Sequence, residues 1–132
     1  MKIPGIAACL ALVACAPVQP HTRPDASQFL RIIGTNDFHG ALEPRKDSAG
    51  VLLGGAAHVA GAIRAAAAEC APRCVVLLLD GGDMFQGSAA SNTAYGRPVV
   101  ELYNELGYAA AALGNHEFDW GIDTLRARMR EA

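Results

Sequence analysis

The sequence predicts an α/β fold, a parallel sheet covered by helices, on three observations. Short apolar runs alternate with Ala-rich or amphipathic stretches from Phe29 onward, the pattern of strands joined by helical crossovers. Residues 74–79 are continuously apolar, the form expected of a strand buried on both faces. Polar loops follow each apolar run, at the strand ends where α/β sheets gather their ligands. At 132 residues the chain has room for one small domain. Its 52% hydrophobic content is inflated by Ala, about a fifth of all residues, so the core is thin. A net charge of −2 with basic residues scattered singly leaves no stripe to neutralise a phosphate backbone, which argues against duplex nucleic acid as a partner.

Taken in order, residues 1–14 read as a signal peptide, with Lys2 as its charged start and an apolar stretch to Val13. That stretch is about half of the roughly 20 residues that span a bilayer. Leu12, Val13, Ala14 and Cys15 resemble the bacterial lipobox, so Cys15 is expected to be lipidated and to anchor the protein at the periplasmic face of a membrane. The alternative is an ordinary cleaved signal. Residues 15–27, with Pro17, Pro20 and Pro24, read as an extended tether, and His21 as a solvated linker residue. The domain proper is expected over residues 28–132. Residues 29–34 form the first strand and residues 35–55 a polar loop. Residues 56–70 form a helix, with Val59 and Ile63 four apart and Pro72 beyond its end. Residues 74–79 form the second strand and 80–96 a Gly-rich loop. Pro98 opens the next helix, whose Val99, Leu102, Tyr103 and Leu106 share a face before Gly107 ends it. Residues 109–113 form a third strand of small residues, 114–121 a loop, and 122–132 a last helix. Cys70 and Cys74 flank a three-residue turn, and in an exported protein a disulfide is expected there in preference to a metal site or free thiols.

The chemistry is concentrated at the strand ends. Asp37 and His39 follow the first strand, Asp83 the second, and Asn115 and His116 the third. Residues spaced as Asp37 and His39 leave an extended segment on the same side. Asp83 has two oxygens with which to bridge two ions, and Asn115 offers a neutral carbonyl oxygen. This mixed set of oxygen and nitrogen donors suits Zn, Mn or Fe. Singly these signals are weak, but Gly114-Asn115-His116-Glu117 is expected by chance only about once in 10⁵ to 10⁶ positions, and the three blocks fall in order at strand ends. Asp119 reads either as a partner of His116 or as a helix N-cap. His58 reads as a packed or solvated helix residue. Asp80 is placed to bond loop amides, with a metal role left open, and Glu117 to cap or pair locally. Ser88 and Asn92 are candidate substrate contacts.

Asp37-x-His39, Gly82-Asp83 and Gly114-Asn115-His116-Glu117 resemble the first three blocks of the calcineurin-like metallophosphoesterases. The fuller text, residues 34–40, 80–87 and 114–121, resembles the bacterial 5′-nucleotidase and UDP-sugar hydrolase branch. The resemblance implies the N-terminal portion of a β-sandwich flanked by helices, and a dinuclear centre of divalent ions such as Zn or Mn. In it Asp37 and His39 hold the first ion, Asp83 bridges both, Asn115 holds the second, and His116 with Asp119 forms the catalytic pair. It also implies hydrolysis of phosphate esters of nucleotides. Two ions about 3.5–4 Å apart would clamp phosphate oxygens and activate a water for in-line attack, while a charged His116, oriented by Asp119, would stabilise the developing charge. The family completes both metal sites with later His-containing blocks, so the sequence is expected to be the N-terminal part of a longer enzyme or a truncated product. The alternative is a lipid-anchored, catalytically silent fragment. Within the enzyme class the competitors are cyclic-nucleotide phosphodiesterase and thiosulfate-ester hydrolase relatives.

Overall fold

A computed structural model describes residues 29–72 and 74–132. The signal peptide, Cys15, His21 and the tether lie outside them. Strand β1 (Phe29–Thr35) is followed by a short hairpin of β2 (Arg45–Lys46) and β3 (Leu52–Leu53), then by α1 (Ala56–Ala68) and β4 (Cys74–Asp80). After these come a one-turn helix α2 (Ala89–Asn92), α3 (Arg97–Leu106), β5 (Ala110–Ala111) and α4 (Ile122–Glu131), with a 3₁₀ turn at His116–Phe118. β1, β4 and β5 form a parallel sheet in the order β1-β4-β5, in register from Phe29 opposite Cys74 to Thr35 opposite Asp80. The expected α/β class is the one observed.

Local chemistry accounts for the element ends. Gly107, left-handed at φ 78°, closes α3 and returns its amide to the Tyr103 and Asn104 carbonyls. The β2–β3 turn forms because the Asp47 carboxylate accepts the Ala49 and Val51 amides, each at 2.9 Å. Two residues per strand give no alternating pattern, so the hairpin was not legible inside the predicted loop. The third strand is shorter than the expected residues 109–113: only Ala110 and Ala111 pair, opposite Leu79 and Asp80. The turn between α1 and β4 brings Cys70 and Cys74 to a Cα–Cα distance of 5.2 Å with their sulfurs joined.

The core lies between the sheet's carboxyl end and helices α3 and α4. It consists of Phe38, Met84, Phe85, Val99, Val100, Tyr103 and Leu125. A second contact seats α1 beside β1, where Ala60 and Ile63 are buried and Arg31 reaches the Ala66 carbonyl and Glu69. Burial of β4 on both faces is not what the structure shows. Leu78 and Asp80 are buried, but Val75 is 60% exposed. Its register partner Leu30 and the next residue on that face, Ile32, are each 61% exposed. The physical reason is alternation: Arg31, Leu78 and Asp80 point toward the helices, while Leu30, Ile32 and Val75 point to the opposite face, against which the described residues pack no helix. No helix among the described residues is long and apolar enough to cross a membrane.

Candidate metal centre

The site is built where the loops after β1, β4 and β5 meet. Beyond β1, Phe38 turns into the core at 9% exposure and packs its ring 5.9 Å from that of Tyr103. This anchor leaves its neighbours Asp37 and His39 facing outward. Both have left-handed backbones, at φ 53° and 49°, and Asp83 beyond β4 has φ 57°. For residues with a side chain such conformations cost roughly 1–3 kcal/mol each, and they persist only where surrounding bonds enforce them. Here a ladder between the two loops does so. The amides of Asp37, His39 and Gly40 donate to the carbonyls of Gly82, Asp83 and Met84 at 3.0, 2.9 and 2.8 Å.

His39 and Asp83 meet a third residue, His116. One ligand atom from each lies within 4.8 Å of the other two. The His116 amide donates to Asp83 Oδ1 at 3.0 Å, and the His39 and His116 rings stand edge to face with centroids 5.0 Å apart. His39 Nδ1 donates to the Gln86 carbonyl at 2.9 Å, which leaves the Nε2 lone pair for a metal. That Nε2 lies 3.7 Å from Asp37 Oδ1. An imidazole nitrogen with its tautomer set by a carbonyl, beside two carboxylates, fits a divalent ion of the Zn, Mn or Fe type. On the other side of the cluster, His116 Nδ1 lies 2.6 Å from Asp119 Oδ2, and this hydrogen bond raises the His116 pKa above the ordinary histidine value. Asp119 therefore faces His116, while the residue at the N-cap of α4 is Gly121. Asn115 is exposed on the same 3₁₀ turn, and its side chain makes no hydrogen bond among the described residues.

Two buried carboxylates matter more here than sequence reasoning indicated. Glu117, 1% exposed, accepts the amides of Asp83 at 2.9 Å, Met84 at 2.7 Å and Gly114 at 2.6 Å. Asp80, 5% exposed, accepts the Gly82 amide at 2.8 Å, the Tyr103 hydroxyl at 2.9 Å and the Thr35 hydroxyl. Both Asp80 oxygens are thus turned inward, and burial together with Asp80 pushes the Tyr103 pKa up. The signal available in the sequence was a carboxylate closing an apolar strand and another closing the Asn-His-Glu block. Ser88 and Asn92, the candidate substrate contacts, hold the loop together: Ser88 caps α2 and bonds the Gly40 carbonyl, and Asn92 accepts the Gly87 amide. His58 is exposed on α1.

No family model matches the chain. It is 39% identical over 122 residues to 5′-nucleotidase of Rattus norvegicus, an alignment covering 88% of this chain and 20% of that protein. Among solved structures, the 5′-nucleotidase precursor of Thermus thermophilus superimposes with a TM-score of 0.67 at 35% identity, over 78% of this chain and 20% of that one. The calcineurin-like phosphoesterase YfkN of Bacillus subtilis gives a TM-score of 0.65 at 29% identity, over 78% and 34%. The chain spans about a fifth of the length of the first curated relatives it matches. In sequence and in fold, this chain is related to the N-terminal part of the 5′-nucleotidases and calcineurin-like phosphoesterases.

Proposed function

We propose that the chain carries the N-terminal part of a dinuclear centre that hydrolyses phosphate esters of nucleotides. The observation that carries this reading is the convergence of His39, Asp83 and His116, from three separate loops, within 4.8 Å. Asp37 and His39 would hold the first ion, Asp83 would be shared between the two, and Asn115 would hold the second. When bound, such a pair of ions polarises phosphate oxygens and activates water. The protein's own part is positional and electrostatic. The Gln86 carbonyl fixes the His39 ring, and Asp119 holds the His116 ring and favours its charged form. From there the charged ring donates a hydrogen bond to the oxygen on which negative charge develops. Cys15 anchors the protein by lipid at the periplasmic face, and Cys70 with Cys74 forms a disulfide suited to that compartment.

A second reading, metal binding without turnover, is favoured by one observation: among the described residues the metal-ligating side chains converge in a single group of three, His39, Asp83 and His116, enough for one ion. Phosphate release from AMP with added Mn²⁺ or Zn²⁺ separates the two. The catalytic reading predicts metal-dependent release that falls about 100-fold or more in kcat for His116→Ala with bound metal unchanged. Bound metal with no release supports the silent reading. Metal lost from His116→Ala would make His116 a ligand, and metal-independent release would overturn both.

A further inference from the structure

We infer that Glu117, seconded by Asp80, is a positioning residue that fixes the bridging carboxylate; this rests on the metal-centre reading above. Residues 82–84 are held on both sides. Their carbonyls take the three amides of the loop that carries Asp37 and His39. Their amides go to carboxylates: Gly82 to Asp80, and Asp83 and Met84 to the two oxygens of Glu117. Asp83 is thereby kept at φ 57° without any bond to its own carboxylate from Glu117 or Asp80. Glu117 also takes the Gly114 amide, so one buried side chain ties the second loop to the third. Within that third loop the His116 amide is then delivered to Asp83 Oδ1. Moving Glu117 therefore moves Asp83 and His116 relative to each other, although Glu117 itself is enclosed, with both oxygens taken up by backbone amides. Three amides fill three of the roughly four lone-pair sites of one carboxylate, and a side-chain amide in its place would turn an N–H toward donors.

Glu117→Gln in the intact chain tests this by amide hydrogen exchange and by Mn²⁺ titration of the free-ion electron paramagnetic resonance signal. The expected pattern is exchange about 100-fold faster or more at the amides of Asp83, Met84 and Gly114, with amides inside β4 unchanged, because only the local opening becomes easier. Mn²⁺ binding weakens about 10-fold or more, as when an outer partner of a metal ligand is lost. If Glu117→Gln fails to fold, Glu117→Asp keeps the charge on a shorter stem and is expected to show the same selective exchange to a smaller degree. Unchanged exchange at these three amides, or unchanged Mn²⁺ affinity beside wild-type binding, overturns the inference. So does loss of protection throughout the sheet in both variants, which would make Glu117 a general fold residue. A wild-type chain that takes up no Mn²⁺ sinks the metal-centre reading separately, and the exchange pattern then decides the positioning role alone.

Discussion

At Gly114 a methyl group has no room: a Cβ there would lie 2.2 Å from Asp83 Oδ1 and 2.7 Å from the Asp83 amide nitrogen. The facing glycine, Gly82, is left-handed at φ 105°, and its Cβ would meet the Gly114 nitrogen at 2.7 Å. The two loops touch backbone to backbone, which sets the His116 amide against the Asp83 carboxylate. Gly114→Ala is expected to cost about 1–3 kcal/mol by urea unfolding, the usual penalty of overpacking. Gly34→Ala, with nothing within 4 Å of its Cβ, is expected to stay within about 0.5 kcal/mol. Equal stabilities would mean that the loop contact is soft. His39, Asp83 and His116, which the structure brings together, stand in the sequence inside short motif blocks, as does Asp119, which pairs with His116. The roles of Glu117 and Asp80 were not legible there, because their function lies in amides and hydroxyls brought to them by folding. Short-range spacing carries no trace of a bond between Glu117 and an amide 33 residues upstream.

Among the elements, those with a strong period or a defined stop were readable. Helix α3 begins and ends within a residue of where Pro98 and Gly107 placed it. Helix α1 ends at Ala68, two residues short of the expected end, in the turn that carries Cys70. The hairpin and α2 are too short to show a period, and β5 is set by pairing with β4, since two alanines have little strand preference of their own. The Cys70–Cys74 link closes a very short loop between α1 and β4, so its entropic contribution is small, about 2 kcal/mol on the chain-entropy relation. Reducing it with dithiothreitol is expected to lower unfolding stability by about that amount, and a Cys70→Ser, Cys74→Ser chain should match the reduced protein. A chain whose stability is indifferent to reductant would show that the two thiols are free in solution.

For the whole molecule, the sheet separates two environments. Helices α1 and α3 lie on one side, while the face bearing Leu30, Ile32 and Val75 has no helix on it among the described residues. Exposed apolar surface of this kind binds hydrophobic dyes and promotes association. The chain is expected to enhance 8-anilinonaphthalene-1-sulfonate fluorescence, and Ile32→Thr with Val75→Thr to reduce that signal while shifting Tm little, since both side chains are already mostly solvated. Absence of dye binding would mean that this face is covered in solution. The fold class was legible because strand and helix periods alternate; the exposure of β4 was not, because a continuous apolar run looks the same whether one face or both are covered. Calorimetric titration of Mn²⁺ into the intact chain and into Asp83→Asn tests the metal centre most directly. A centre built on Asp83 predicts binding to the wild type and an affinity about 10-fold or more lower in the variant; no binding to the wild type, or equal binding to both, would contradict it.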